Sequence, residues 1–209
     1  MRIFNWYYLI ITICLLLCSL SNYGQTIEEL RDAGMGKYAF MHDYEGAMQD
    51  FNAALDIDYQ DDGSYYFRGL CKHRLKDNMG AMADFNSAIR YGSDAPLDQY
   101  YNARGNTKQA LLDYRGAIED HEKAIELNPE NGEAYYNRGN AKANIEDRIA
   151  AIADYTKAIE LGYANQSTYY NRGLCRIKEG QKNSGCLDIS KAGELGLEQS
   201  YELIRNFCQ

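Results

Sequence analysis

Histidine and cysteine are the side chains of this sequence best suited to catalysis or metal binding, and they are few. Beyond residue 24 the histidines are His42, His73 and His121, and there are four cysteines. The sequence has no CxxC, HExxH or GxSxG motif, and its glycines do not form a phosphate-binding loop. It therefore predicts no enzyme, no metal site and no cofactor. An enzymatic role would require His73 to face a polar cleft with a carboxylate in reach.

Composition and charge narrow the class of protein. The chain has 209 residues, a formal net charge of −8, 45% hydrophobic residues, 19 tyrosines and one tryptophan. This balance allows a packed core and argues against wholesale disorder. Proteins that bind duplex nucleic acid generally present a cationic stripe to the phosphates. The acidic balance therefore predicts that nucleic acid is not a partner.

Residues 1–24 have the composition of a secretory signal peptide. Arg2 is their only charged side chain, and the stretch 4–20 is almost wholly apolar. Small residues place the expected cleavage after Ser21 or after Gly24. We therefore expect an exported protein, periplasmic or extracellular, whose mature chain has no stable membrane span.

Two membrane-attached alternatives are less favoured. A helix needs about 20 apolar residues to cross a bilayer. Here the apolar stretch is interrupted by Asn5, Thr12 and Ser19. A lipid anchor on Cys18 is disfavoured because Leu17, directly before it, is larger than a lipidation site tolerates.

An internal repeat organises the remainder of the chain. Glycines recur with spacings of 36, 34 and 34 residues, at Gly69, Gly105, Gly139 and Gly173. Tyrosines precede them by four residues, at Tyr65, Tyr101, Tyr135 and Tyr169. Two rows of small residues accompany them, at Ala47, Ala81, Ala117, Ala151 and Gly185, and at Ala54, Ala88, Ala124, Ala158 and Ala192. In this pattern the chain resembles the tetratricopeptide repeat (TPR) family.

The resemblance implies an all-α fold, a right-handed superhelical solenoid of five helix-turn-helix repeats with a C-terminal capping helix. The repeats are expected at 25–61 (degenerate), 62–97, 98–131, 132–165 and 166–196, and the cap at 197–209. The helical spacing of apolar residues agrees, because a lone hairpin cannot bury its own apolar face and must stack on a neighbour. In the capping helix we expect four side chains to face inward: Tyr201, Leu203, Ile204 and Phe207.

The first repeat departs from the pattern. Met35 stands at the position of the interhelix glycine, Arg31 replaces the aromatic residue, and Gly34 stands where later repeats have arginine. Terminal repeats are often atypical because one of their faces has no neighbour.

Aspartate and arginine also recur at fixed repeat positions. The aspartates are Asp50, Asp84, Asp120, Asp154 and Asp188, and the arginines are Arg68, Arg104, Arg138 and Arg172. If the second helix of one repeat packs antiparallel to the first helix of the next, each aspartate faces the following arginine, whose planar fork suits a carboxylate. The predicted inter-repeat pairs are Asp50–Arg68, Asp84–Arg104, Asp120–Arg138 and Asp154–Arg172. The alternative is a solvated acidic face without contacts.

The same antiparallel alignment places Cys208 of the capping helix opposite Cys186. In the oxidising surroundings of an exported protein this pair is predicted to form a disulfide. Cys71 and Cys175 occupy one interior position three repeats apart, and we expect them to be buried and unpaired.

The resemblance also implies a binding surface, the concave face lined by the first helices, which holds an extended peptide or a partner helix. The matching positions are Tyr66, His73, Arg74, Asn102, Asn106, Gln109, Tyr136, Asn140, Asn144, Tyr170 and Lys178. The favoured function is an envelope scaffold that binds a protein or peptide there. One alternative is recognition of a non-protein ligand such as an envelope glycan, which clustered aromatic residues with carboxylates would favour. The other is an ordinary polar surface.

Overall fold

In the computed structural model, residues 26–93 and 96–208 are described, and their regular structure is helical throughout. The helices are α1 (Ile27–Gly36), α2 (Tyr44–Ile57), α3 (Asp62–Arg74), α4 (Asn78–Tyr91), α5 (Leu97–Ala110), α6 (Tyr114–Leu127), α7 (Gly132–Asn144), α8 (Arg148–Glu160), α9 (Gln166–Lys178), α10 (Lys182–Glu194) and α11 (Gln199–Phe207). Each helix packs against the next in chain order, so the predicted all-α solenoid is confirmed. The expected signal peptide at 1–24 and its cleavage sites lie outside the described residues.

Short turns join the two helices of each hairpin, and one backbone feature recurs in them. A left-handed residue ends the turn in the first four hairpins, at His42, Lys76, Leu112 and Glu146, with φ of 54°, 68°, 64° and 65°. The residue that follows is an aspartate whose carboxylate accepts a hydrogen bond from the backbone N–H three residues on, namely Asp43, Asp77, Asp113 and Asp147. These caps fix where the second helix begins in each of the first four hairpins.

The core of each hairpin is a bulky side chain seated on a glycine. Phe85 and Tyr155 are buried, and a Cβ atom added to Gly69 or Gly139 would lie 2.8 Å from the ring facing it. The same arrangement pairs His121 with Gly105 and Ile189 with Gly173. Glycine recurs because the ring of the second helix occupies the space that any side chain on the first helix would fill.

The first repeat reaches the same packing through a shift of one residue. Phe51 lies over Gly34, where an added Cβ would be 2.6 Å from the ring. Helix α1 continues into a π-helical turn at Lys37–Met41, and such a turn accommodates one extra residue. The sequence alignment of Met35 with the interhelix glycine is therefore wrong by one position. Leu30, four residues before Gly34, is the buried side chain at the aromatic position.

Helix α11 covers the last hairpin from one side. Ser200 is buried, and the Tyr201 hydroxyl donates a hydrogen bond to the carbonyl oxygen of Gly193 at 3.1 Å. The rings of Tyr201 and Phe207 were expected to be buried, but both residues are 55% exposed, although Tyr201 contacts the last hairpin. A terminal helix with a neighbour on one side buries only a narrow stripe of its surface.

The cysteines fall into two classes. Cys186 of α10 and Cys208, which directly follows α11, are joined as a disulfide with their Cα atoms 5.6 Å apart. Cys71 and Cys175 are buried free thiols. Burial raises the pKa of Cys71 to about 12, so this thiol stays protonated at neutral pH.

Candidate binding groove and its supporting ion pairs

The first helices of the second to fifth repeats, α3, α5, α7 and α9, lie side by side. Two cavities open along them. The first cavity, about 690 Å³, lies between α3 and α5 and extends to the loop before α7. The second cavity, about 440 Å³, lies between α7 and α9. Together we call them the groove.

Nine of the eleven residues predicted for the groove line one of these cavities. The first cavity receives Tyr66, His73, Arg74, Asn102 and Asn106. The second receives Gln109, Asn140, Asn144 and Lys178. Tyr136 lines a separate depression with Tyr163, and Tyr170 lies outside both cavities of the groove.

The first cavity has an acidic wall that sequence reasoning missed. Asp98, Glu130 and Glu133 line it, and they belong to the start of α5, the loop before α7 and the start of α7. Asp98 is held in place by amide hydrogen bonds from Asn128 at 3.0 Å and Asn131 at 3.1 Å. Asp98 and Glu130 belong to the third repeat and Glu133 to the fourth, so their convergence depends on the path of the loop before α7 and leaves no spacing pattern in the sequence.

Tyr66 is the aromatic floor of the first cavity. Its ring stacks on Tyr100 with centroids 4.7 Å apart and also packs against Phe67 and Phe85. Burial, followed by the negative charge of Glu133, raises the pKa of Tyr66 to about 12. The phenol therefore remains a neutral hydrogen-bonding group in a locally negative field.

His73 lines the first cavity together with the carboxylates of Asp98, Glu130 and Glu133, and a neutral hydroxyl group fixes its ring. Its Nδ1 lies 3.3 Å from the hydroxyl of Thr107, which itself donates to the carbonyl oxygen of Ala103. The Thr107 hydroxyl therefore accepts the hydrogen bond from His73 Nδ1. Burial lowers the pKa of His73, so the ring is a neutral, positioned donor.

The second cavity is built on a fixed asparagine. Asn140 Oδ1 accepts hydrogen bonds from the Tyr155 hydroxyl and from Asn171 Nδ2, both at 2.9 Å. With its oxygen held by two donors, Asn140 must turn its Nδ2 group away from them. Two cations line the same cavity, Arg148 and Lys178.

A buried polar network lies between the two cavities. Nδ1 of His121 is 2.9 Å from Oδ1 of Asn102, and Nε2 is 3.0 Å from Nε2 of Gln109. Asn102 Oδ1 also accepts from Asn137 at 3.2 Å. Burial lowers the pKa of His121 to about 4, so the ring is neutral, with Nδ1 donating and Nε2 accepting. The side-chain amides of Asn102 and Gln109 are therefore hydrogen-bonded within this buried network, although both residues were predicted as groove contacts.

The recurring arginines pair with the aspartates of their own repeat. Arg104 donates from Nε and Nη2 to the two carboxylate oxygens of Asp120, at 2.9 and 2.7 Å. The same bidentate geometry joins Arg68 to Asp84, Arg138 to Asp154 and Arg172 to Asp188. The predicted inter-repeat pairs Asp50–Arg68, Asp84–Arg104, Asp120–Arg138 and Asp154–Arg172 are therefore wrong.

The physical reason is the helical phase of the aspartate. Arg104 does contact the preceding repeat, but its Nη1 donates to Asn86 at 2.8 Å rather than to Asp84. Two residues along a helix correspond to a rotation of about 200°, so Asp84 points into its own hairpin when Asn86 faces the next one. Arg68 contacts Asn52 in the same way at 2.6 Å.

A second cation contacts the aspartate of each pair. These second cations are Lys72 at Asp84, Lys108 at Asp120, Lys142 at Asp154 and Arg176 at Asp188, at 2.7 to 2.9 Å. We call the four sets of arginine, aspartate and second cation the ladder. The four recurring arginines, Arg68, Arg104, Arg138 and Arg172, also lie over repeat tyrosines, as Arg104 does over Tyr101 at 5.2 Å from the ring centroid. In the first repeat Asp50 has only Lys37, at 2.7 Å.

Sequence comparisons agree with this architecture. A family model described as TPR repeat matches residues 99–145, and one described as tetratricopeptide repeat matches 132–161. A TPR repeat-containing protein of Methanocaldococcus jannaschii is 35% identical over 94 residues, which are 45% of this chain and 16% of that protein. Human tetratricopeptide repeat protein 6 is 28% identical over 94 residues, 45% of this chain and 18% of that protein. The chain thus spans less than a fifth of the length of these relatives.

Solved structures agree over most of the chain. YrrB, a TPR protein with an unusual peptide-binding site, superimposes with a TM-score of 0.67 at 18% identity, covering 85% of this chain and 91% of that one. The fold is that of a TPR solenoid. Pseudomonas aeruginosa pilF superimposes with a TM-score of 0.74 at 19% identity, covering 83% of this chain and 81% of that one. MamA from Desulfovibrio magneticus RS-1 gives a TM-score of 0.71 at 17% identity, with coverage of 82% and 96%.

Within 26–93 and 96–208, no three side chains of histidine, cysteine, aspartate or glutamate are grouped so that they could hold a metal ion. In the same part of the chain no helix combines the length and apolar character that a membrane span requires.

Proposed function

We propose that this chain is an exported TPR scaffold that holds an extended segment of a partner protein in its concave groove at the cell envelope. The observation that carries the proposal is the convergence of amide, aromatic and charged side chains from four first helices on two neighbouring cavities. Such groups bond peptide carbonyls and amides while flat rings supply contact area. The similar fold of YrrB, a TPR protein with a peptide-binding site, supports this assignment.

Affinity capture from an envelope extract tests the groove. The bait is the full mature chain, compared with a double variant that reverses one charge in each cavity, Glu133→Lys with Lys178→Glu. The control is Lys157→Glu with Glu160→Lys, which exchanges the two ends of an exposed ion pair on α8 and leaves the net charge unchanged. We expect the control to retain the proteins captured by the wild type and the groove variant to lose them. Equal recovery by all three proteins would remove the groove from the function.

Glycan recognition is the alternative, and one observation favours it. Tyr38 and Tyr66 share the first cavity with the carboxylates of Asp98, Glu130 and Glu133, and rings beside carboxylates are typical of sugar sites. Against it, one face of the Tyr66 ring is already stacked on Tyr100 and cannot stack on a sugar ring. Soluble envelope oligosaccharide added to the capture experiment decides between them. Under the protein proposal it leaves the captured proteins unchanged, and under the glycan alternative it binds the bait and displaces them.

Export is tested on the protein as the cell makes it. N-terminal sequencing of the mature protein should give residue 22 or residue 25 as the first, according to whether cleavage follows Ser21 or Gly24. Mass spectrometry without reduction should show Cys186 and Cys208 linked, since an oxidising compartment maintains such a bond. An uncleaved chain in the cytoplasmic fraction, with both thiols free, would contradict the proposal.

A further inference from the structure

The two cavities of the groove differ in charge. The first cavity has three carboxylates, Asp98, Glu130 and Glu133, against one guanidinium, Arg74, because His73 is neutral. The second cavity has two cations, Arg148 and Lys178, and no carboxylate lines it. The groove therefore changes from negative to positive along its length, although the chain as a whole is acidic.

Lys178 is the uncompensated charge of the second cavity. It is exposed and makes no ion pair within the described residues. Arg148 is partly neutralised, because Glu179 and Glu146 lie 3.5 and 3.4 Å from its guanidinium. Asn140 lines the same cavity, its Oδ1 is taken by two donors, and its Nδ2 group has no partner in the described part of the chain. An ammonium group and an amide N–H in one cavity are donors for a carboxylate.

The first cavity presents the opposite chemistry. Glu133 is exposed and lines the cavity beside the ring of Tyr66, whose phenol lies in the negative field of that acid. Carboxylates beside an aromatic ring attract an ammonium or guanidinium group by charge and by the ring quadrupole. Arg74 is held at one side of the cavity through its hydrogen bond to the Tyr38 hydroxyl at 3.4 Å.

We propose that the groove binds an extended peptide segment whose two ends carry opposite charges. A lysine or arginine of the segment lies in the first cavity, and an aspartate, glutamate or carboxyl terminus lies in the second. This inference rests on the proposed function and names the partner's chemistry. The cavities are offset by two repeats, or about 20 Å at about 10 Å per packed helix. An extended chain covers that distance in about six residues at about 3.3 Å each.

Fluorescence anisotropy with synthetic peptides tests the charge pattern. The probe is Arg-Arg-Ser-Ala-Ser-Ala-Glu-Glu, labelled, acetylated and amidated so that its termini carry no charge. Two companions replace either both arginines or both glutamates with glutamine. We expect the probe to bind the mature wild-type protein at least about tenfold more tightly than either companion, because each loses one charged contact. Equal binding of all three peptides, or binding of none, overturns the inference.

Matched variants assign each end of the peptide to a cavity. Lys178→Glu should lower the affinity for the probe about tenfold. It should leave unchanged the affinity for the companion in which glutamine replaces both glutamates. Its control is Lys123→Glu, an exposed lysine of α6 away from the groove. Glu133→Lys should weaken binding of the probe and leave unchanged the binding of the companion in which glutamine replaces both arginines. Its control is Glu126→Lys. Equal effects of groove and control variants would contradict the assignment.

The failure of this inference is distinguishable from the failure of the proposed function. If the peptides do not discriminate while protein capture still depends on the groove, only the charge pattern is wrong. If capture is also independent of the groove, the scaffold proposal itself is wrong. Far-UV circular dichroism and urea midpoints equal to those of wild type show that each variant is folded.

Discussion

The ladder cations and most groove residues lie on the same first helices, yet they differ in how far they recur from repeat to repeat. At the ladder positions the second to fifth repeats repeat one geometry, with bidentate contacts between 2.6 and 2.9 Å in all four. At the groove positions the repeats contribute different chemistry, as at the equivalent positions of Arg74, Ala110, Asn144 and Lys178. Identity between repeats marks the contacts that join the two helices of each hairpin, and variation marks the surface left for a partner.

Burial separates the two sets physically. The ladder aspartates have 5 to 7% of their side chains exposed, so their charges depend on the arginine and the second cation. Lys178 and Glu133 of the groove are exposed and gain nothing from the fold. Substitutions in the ladder should therefore change stability, and substitutions in the groove should change binding.

The largest effect is expected from Asp120→Asn in the middle of the ladder. This change leaves Arg104 and Lys108 without their carboxylate in a site where the Asp120 side chain is 5% exposed. Removing one member of a buried pair costs about 3–5 kcal/mol of unfolding free energy. Urea denaturation followed by circular dichroism measures it. The matched control is Asp50→Asn, which loses only Lys37 and should cost about 1 kcal/mol. Equal costs at both positions would mean that the ladder is not the stabilising element.

His121 predicts a dependence of the unfolding free energy on pH. Its pKa is lowered by burial from 6.5 to about 4, so the unfolded chain binds the proton more readily than the folded protein. The stability contributed by neutral His121 is complete above pH 6.5 and is lost as the pH falls toward 4, by about 3 kcal/mol.

The measurement for His121 is the unfolding free energy from urea titrations at pH 7 and pH 4. The groups facing the ring, Asp120, Asp154, Arg138 and Lys108, are retained in the control variant His121→Phe, which adopts the residue of the second repeat. The variant should lose less stability than wild type over this range. Identical pH profiles would show that His121 does not titrate on unfolding.

The register shift of the first repeat is tested by two glycines. Gly34→Ala places a Cβ 2.6 Å from the buried Phe51 ring and should cost about 1–3 kcal/mol, as overpacked cores do. Gly36→Ala meets nothing within 4 Å and should stabilise α1 by up to about 1 kcal/mol. Thermal unfolding of the two variants gives the signs. If Gly34→Ala leaves the stability unchanged, the interhelix residue is Met35 and not Gly34.

The smallest effect is expected at Lys178. Lys178→Ala should change the unfolding free energy by less than about 0.5 kcal/mol, as exposed substitutions generally do. The comparison is Lys142→Ala, which removes a ladder cation 2.8 Å from Asp154 and should cost about 1 kcal/mol. Urea unfolding midpoints of the two variants, measured under the same conditions, give this comparison. A larger loss at Lys178 than at Lys142 would reverse the division between groove and ladder.

The fold could be predicted because the repeat positions are few and physically constrained. Glycine under a ring, as in Gly69 and Phe85, leaves a period that survives sequence variation. The shift in the first repeat could not be predicted, since the π-helical turn at Lys37–Met41 has no residue signature and Gly34 and Gly36 flank the wrong candidate.

The ladder partners could not be predicted by counting alone. Residue 76, in the turn after α3, lies midway between Arg68 and Asp84, and residue 59, in the turn before α3, lies midway between Asp50 and Arg68. Both pairings therefore satisfy an antiparallel alignment. Only the helical phase, which directs Asp50 inward and Asn52 toward Arg68, separates them. The acidic wall of the first cavity could not be predicted either, because loop geometry, which residue spacing does not show, brings Asp98 and Glu133 together.

The most direct test of the division between ladder and groove measures stability and peptide affinity on the same two variants. For Asp120→Asn we predict a loss of about 3–5 kcal/mol of unfolding free energy, with the affinity of the folded protein for the Arg-Arg/Glu-Glu peptide retained. For Lys178→Glu we predict wild-type stability and an affinity about tenfold lower. If Lys178→Glu leaves the affinity unchanged, or if it lowers both quantities together, the claim that the groove is a separate binding surface is contradicted.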